Sequence, residues 1–194
     1  MPEKESAGIK PEIIVFAGPN GSGKSTITGV AYTKGIRYYI NADEIKRSTL
    51  CSDMEAAIKA ESLREEALQE RKDFIFETVL STERNLNLLR RAKEHGYFIR
   101  CIYVLTNSPK VNILRVRARV DDGGHGVPED KIISRYNKAL KLVPELVELC
   151  DIMHIYDNTK MPYRIFKKRK DEWFFWTNEF WDKDRILNLV GLRD

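Results

Sequence analysis

Residues 18–25 read Gly-Pro-Asn-Gly-Ser-Gly-Lys-Ser and match G-x-x-x-x-G-K-[ST] at every fixed position. Glycines let successive backbone N–H groups turn toward one point and surround a phosphate, and a helix starting at Lys24 aims its positive end at the same anion. In such a loop Lys24 reaches the β- and γ-phosphates of ATP and the Ser25 hydroxyl holds Mg²⁺. Gly18, Pro19, Asn20, Gly21, Ser22, Gly23, Lys24, Ser25 and Thr26 are therefore the expected nucleotide contacts, with Ser25 on the metal side. The competing explanation is an ordinary glycine-rich turn. The β-rich run Glu12 to Ala17 (EIIVFA) directly before the loop counts against it.

Two acidic positions follow at predicted strand ends. Asp43, in Asn41-Ala42-Asp43-Glu44, closes the second strand, and open α/β sheets bind ligands in the crevice outside such ends. A carboxylate there can accept the proton of a hydroxyl that attacks the γ-phosphoryl group. Alternatively Asp43 N-caps the short helix that follows, and the two roles are compatible. Glu77 and Thr78 end the third strand in the same crevice. Glu77 either binds a substrate hydroxyl or a Mg²⁺-bound water, or belongs to a strand-end polar network. A strand of four apolar residues followed by Asp is absent, and Phe-Ile-Phe-Glu is the nearest substitute. Arg115, Arg117, Arg119 and Arg135 flank Gly123-Gly124-His125-Gly126. Arg115 and Arg119 share one helix face, whereas Arg117 points elsewhere. Phosphoryl transfer needs cations over the γ-phosphate, and a glycine-hinged lid can supply them; a solvated basic face is the bland alternative. His125 either touches substrate or steadies the lid.

Strands alternating with helices must position these residues. Strands are predicted over 12–17, 37–40, 74–79, 98–105 and 152–156. Helices are predicted from Lys24, after Asn41, and from the capping box Ser52-Asp53-Met54-Glu55 to about Arg71, with Met54, Ala57, Ile58, Leu63, Ala67 and Leu68 as its apolar stripe. Others span Arg84 to His95 before Gly96, Pro109 to about Val120 behind the N-cap Ser108, and Pro128 to about Leu149. This pattern implies an α/β P-loop NTPase with a doubly wound, mostly parallel five-stranded sheet and a helical lid. Tyr163 to Trp176 alternates charged and aromatic residues and reads as a hairpin or edge addition, with a last helix from about Asp184. A single domain over 1–194 is expected, with a core at 12–157 and a C-terminal addition at 158–194.

Composition narrows the function classes. A length of 194 residues suffices for one proper core, and a net charge of +4 suits an anionic ligand while being too weak to argue for nucleic acid. Lys167-Lys168-Arg169-Lys170 with its aromatic neighbours motivates a nucleic-acid reading, but such runs are usually solvated. Cys51, Cys101 and Cys150 are odd in number and lack CxxC spacing, which argues against a disulfide framework or a zinc knuckle. Cys101 reads as a core residue. No signal-peptide core and no membrane-length apolar run is present, so a cytoplasmic protein is expected.

The residues Gly18-Pro-Asn-Gly-Ser-Gly-Lys-Ser-Thr26, Asn41-Ala-Asp43, Glu77-Thr78, and above all Arg115-Val116…Arg119-Val120-Asp-Asp-Gly123-Gly124-His125-Gly-Val127-Pro128…Arg135-Tyr136 resemble the zeta-toxin family of P-loop kinases, in its short "predicted ABC-type ATPase" branch. The resemblance covers residues 12–157 and leaves the aromatic tail Trp173 to Trp181 unmatched. It implies an ATP- and Mg²⁺-dependent kinase that phosphorylates the 3′-hydroxyl of the amino sugar of UDP-N-acetylglucosamine. It makes Asp43 the general base, Lys24 and Ser25 the ATP·Mg²⁺ ligands, and Glu77, Thr78, Asn41 and His125 substrate contacts. Arg119 and Arg135 clamp the triphosphate, with Arg115 a third member, and an antitoxin protein enters as a partner to consider. The alternatives are a kinase for another hydroxyl (metabolite, drug or polynucleotide end) and a nucleotide-gated binding module without turnover.

Overall fold

Short runs rich in β-branched and aromatic residues are long enough for strands and apolar enough to be buried on both faces. In the computed structural model, which describes residues 10–28 and 38–192, these runs become β1 (Glu12–Ala17), β2 (Tyr39–Ile40), β3 (Phe74–Thr78), β4 (Phe98–Leu105) and β5 (Ile152–Asp157). They run parallel in the order β2-β3-β1-β4-β5. The chain goes from β1 to one side of the sheet and then returns to the other, so the crevice opens above β1, where the glycine loop lies. Arg37, expected in the second strand, falls outside the described residues.

The helices are α1 (Lys24–Thr28), α2 (Ala42–Thr49), α3 (Asp53–Gln69), α4 (Arg84–Glu94), α5 (Pro109–Asp121), α6 (Glu129–Lys141), α7 (Val143–Leu149) and α8 (Lys183–Val190). Local chemistry fixes their ends. Ser52 and Glu55 form a reciprocal capping box on α3, Ser108 accepts from the Lys110 amide at the start of α5, and Asp182 caps α8. None of the helices among the described residues is long and apolar enough to cross a membrane.

Three expectations are corrected. The stripe assigned to α3 is rotated: Met54 is 71% and Ile58 59% exposed, while Ala56, Ala60, Ala67 and Leu68 are buried. Spacings of four and seven put the alanines on one face, and their small side chains let α3 approach closely. The single helix expected from Pro128 to Leu149 is two. Pro144 has no N–H to donate and its ring clashes with the carbonyl four residues back, so α6 ends at Lys141 and α7 restarts at Val143. Among the described residues the sheet has seven strands, not five. β6 (Tyr163–Arg169) pairs antiparallel with β5, and β7 (Glu172–Phe175) antiparallel with β6, so the tail hairpin is the edge of the main sheet.

Most of the core lies on one face of the sheet, where Ala67 and Leu68 of α3, Leu86 and Leu89 of α4, Leu146 of α7 and Ile186 and Val190 of α8 meet Phe74, Phe76, Tyr103, Ile155 and Phe166. The free thiols Cys101 and Cys150 are buried there. The opposite face carries a smaller cluster of Ile14, Phe16, Ile27, Ile75, Ile102 and Val104.

Candidate active site

The loop after β1 is held from below by side chains far away in sequence. Asn112 Nδ2 of α5 donates to Asn20 O at 2.7 Å, and Asn158 Nδ2, just past β5, donates to Ser22 O at 2.8 Å. Arg115 donates to Ser22 O at 3.4 Å and Thr159 O at 3.1 Å, and Arg135 of α6 reaches Asn20 Oδ1 at 3.3 Å. Such close support requires glycine. Gly18 and Gly23 have φ of 139° and 88°, and a Cβ would overlap the Val104 carbonyl oxygen and the Asn158 side-chain amide respectively. Among the described residues the amides of Gly21, Gly23, Lys24 and Ser25 form no hydrogen bond, and the Ser22 hydroxyl is buried without a partner. These inward amides are the donors an oxyanion needs. Ser25 Oγ is exposed and forms no hydrogen bond among the described residues, an oxygen donor suited to a hard cation such as Mg²⁺.

Lys24 lies over this loop, its Nζ donating to Gly18 O at 2.7 Å and Pro19 O at 3.2 Å. Burial lowers its pKa to about 8; the carboxylates of Glu77 and Asp43 oppose that fall and Arg119 adds to it. Lysine, both strand-end acids and a lid arginine therefore share one electrostatic neighbourhood. Glu77 Oε1 accepts from Tyr39 OH at 2.6 Å, and Asn41 Nδ2 donates to the same hydroxyl at 3.0 Å. Burial first, and then this bond to Glu77, raise the Tyr39 pKa, so the phenol stays a donor. Asn41 Oδ1 accepts the Asp43 amide at 2.8 Å, which makes Asn41 the N-cap of α2. Asp43 sits two residues further in, exposed, and the cap reading for it is corrected.

A cleft of about 470 Å³ opens beside Glu77 between α3, the end of β3 and the start of α4. Its lining includes Ala42, Arg64, Glu77, Thr78, Arg84 and Asn85. Thr78 Oγ1 accepts from Leu80 N at 2.9 Å and Asn85 Nδ2 at 2.8 Å, which fixes the turn at the cleft floor. Arg64 lies over the Phe76 ring, 5.4 Å from its centroid, and burial lowers its pKa. Arg84 pairs with Glu61 at 3.1 Å.

On the other side stand α5 and α6. Arg119 donates to His125 O at 2.6 Å and Gly124 packs against the Arg119 stem, which ties the arginine to the loop. The His125 side chain is exposed, near enough to Asp53 to lower that carboxyl's pKa after the larger effect of Lys46. Arg117 pairs with Glu129, away from the site.

Sequence reasoning thus selected residues that the fold brings together: Lys24, Asp43, Glu77, Thr78, Arg115, Arg119 and Arg135. Arg115 is committed to loop carbonyls and supports the loop from behind. Tyr39, Arg64, Asn85, Asn112 and Asn158 were missed. Each is an isolated polar residue whose partners lie far away in sequence, so spacing gave no signal for them.

The chain is 30% identical over 141 residues to an uncharacterized protein of Haemophilus influenzae (strain Rd), covering 70% of this chain and all of the other. It superposes on the PezAT chromosomal toxin–antitoxin system of Streptococcus pneumoniae with a TM-score of 0.63 at 17% identity, over 97% of this chain and 81% of the other. The AvrRxo1-ORF1:-ORF2 structure with ATP gives a TM-score of 0.66 at 13% identity, over 96% and 65%. These likenesses fit the P-loop NTPase fold seen in the strand order. The zeta toxin profile matches residues 2–179, further at both ends than the quoted motifs reach. With its phosphate loop, strand-end acids and arginine lid in one crevice, this chain belongs to the zeta toxin family of P-loop kinases.

Proposed function

We propose that the protein transfers the γ-phosphoryl group of ATP to a hydroxyl of a small molecule, with UDP-N-acetylglucosamine as the first acceptor to consider. The observation that carries this reading is the setting of Lys24, which donates to the Gly18 and Pro19 carbonyls of the phosphate loop and feels the charges of Glu77, Asp43 and Arg119. The open cleft lined by Glu77, and by Ala42 next to Asp43 in the chain, gives an acceptor a place to approach the γ-phosphate. The family membership and the ATP-containing structural relative support the nucleotide.

In this mechanism the loop amides and Lys24 bind the phosphates and hold them in line with the cleft. Ser25 Oγ would hold Mg²⁺, which would supply neutralisation of the phosphate charge. Asp43 takes the proton of the acceptor hydroxyl on its exposed carboxylate. Glu77, oriented by Tyr39, accepts a hydrogen bond from a neighbouring acceptor hydroxyl. Arg119 and Arg135 close from the lid side onto charge spread over the transferring oxygens. Lys24 returns a hydrogen bond to the loop carbonyls once product leaves. ATP supply makes the cytoplasm the setting, and the toxin–antitoxin character of one structural relative supports an antitoxin-type protein as a partner.

The test is incubation with ATP, Mg²⁺ and UDP-N-acetylglucosamine, read by mass spectrometry of the sugar nucleotide. A phosphate-sized gain that vanishes in Lys24→Ala is the expected result. No gain with ATP binding intact rejects this acceptor and moves the search to a metabolite panel; no ATP binding rejects the kinase reading.

A further inference from the structure

β5, β6 and β7 show two unlike faces. The bulge between Ile155 and Tyr156 turns both Ile165 and Phe166 into the main core, and Lys168 points the same way, its Nζ donating to Val147 O at 2.7 Å. The other face carries His154 and Tyr156 on β5, Arg164, Lys167 and Arg169 on β6, and Phe174 with Trp176 on β7 and just beyond. Among the described residues the small apolar cluster that includes Ile27 of α1 reaches this face only at Tyr156, and Phe174 remains 40% exposed.

The rings are arranged in pairs. Phe174 and Trp176 are stacked with centroids 6.3 Å apart, and His154 and Tyr156 with centroids 6.4 Å apart. Arg164 lies 4.6 Å from the Trp176 centroid and Lys167 5.4 Å from that of Phe174. The cations are poorly satisfied. Among the described residues Arg164, Lys167 and Arg169 form no ion pair, and Arg164 makes one long contact, 3.4 Å to His154 Nδ1, with its Nε buried and unpartnered. Among the described residues of β5–β7, Glu172, across from Arg169, is the acidic side chain on this face.

The geometry points to a second binding site on this face, for single-stranded nucleic acid, with bases stacking on Trp176, Phe174 and Tyr156 and phosphates bound by Arg164, Lys167 and Arg169. Flat rings two residues apart on a strand suit successive unstacked bases, and interleaved cations suit the backbone between them. An acidic peptide would use the cations and leave the rings without a role. A duplex hides its base faces, which leaves the rings without a role. Net charge is a poor guide to such a site because the cations are local: the Lys167–Lys170 run is split by the strand's alternation, which sends Lys167 and Arg169 to the ring face and Lys168 to the other.

The test is fluorescence anisotropy of labelled oligo(U) and oligo(dT) of about 12 nucleotides, long enough to span one such platform. Binding at low salt is expected, weakening roughly 20-fold between 50 and 200 mM for about three phosphate contacts. Phe174→Leu, which keeps an apolar side chain at an exposed position, and Lys167→Gln each weaken it on the order of tenfold. Lys168→Gln, on the opposite face, and Lys24→Ala leave it unchanged. Absence of binding at low salt overturns the proposal. So does binding that follows Lys24 or is displaced by ATP, and so does an equal affinity for duplex or for poly-glutamate. The Lys24→Ala arm separates this site from the kinase reading, which can fail or hold independently.

Discussion

At the scale of single residues, Lys24 and Asp43 carry the sharpest expectations. Asp43→Asn keeps the carboxylate's shape and removes its basicity, so transfer to the acceptor falls about 10²–10⁴-fold while ATP affinity, read by calorimetry, is unchanged. Lys24 titrates from a lowered pKa of about 8, and a bound phosphate favours its charged form. Above that pH binding must first restore a proton, so ATP affinity drops by up to about tenfold per pH unit. Titrating ATP between pH 7 and 9.5 checks this, with Lys24→Met flat over the range. The phosphate loop was legible because its chemistry demands fixed residue types at fixed spacings. Tyr39 was not, since a tyrosine in a β-rich run reads as packing until the hydroxyl is seen on Glu77.

At the scale of elements, the loop is fitted to its supports. Gly23→Ala places a Cβ on the Asn158 amide at a positive φ, so it destabilises the loop and weakens ATP binding. Asn158→Ala frees the Ser22 carbonyl and also weakens binding. Because the two act at one contact, the double variant is less impaired than the sum of the singles, by about 0.5–3 kcal/mol in a double-mutant cycle. On β5, burial and the nearby Arg164, Lys167 and Arg100 lower the His154 pKa to about 4. The folded state therefore favours neutral imidazole. That stabilisation is complete above the unfolded value near 6.5 and is lost as pH falls toward 4. Chemical denaturation at pH 7 and pH 5 measures the slope, which His154→Gln reduces. Strand positions and helix caps were readable because period and capping chemistry are local. The facing of α3 was not, because the sheet is met by alanines while the larger Met54 and Ile58 stay in solvent.

At the scale of the whole molecule, the tail is part of the core. Trp181 is 2% exposed and packs in the main cluster, Asn178 donates to Asp157 at 2.9 Å, and Arg185 bonds Asn107 O at 3.0 Å. Trp181→Ala is expected to cost about 3–5 kcal/mol of stability. Trp181→Phe costs far less, since the buried indole N–H has no partner among the described residues. Thermal unfolding separates the two. Nothing local in Trp173 to Trp181 announces this burial, which arises in a cluster shared with residues far away in sequence such as Phe74 and Leu146.

The Ser22–Asn158 hydrogen bond joins residues 136 apart. On a ribosome adding 5–20 residues per second, the loop is made roughly 7–27 s before the side chain that braces it. Through that interval the nascent chain carries the phosphate-binding sequence without this brace, so a polypeptide that stops short of Asn158 is expected to hold nucleotide more weakly, as Asn158→Ala does.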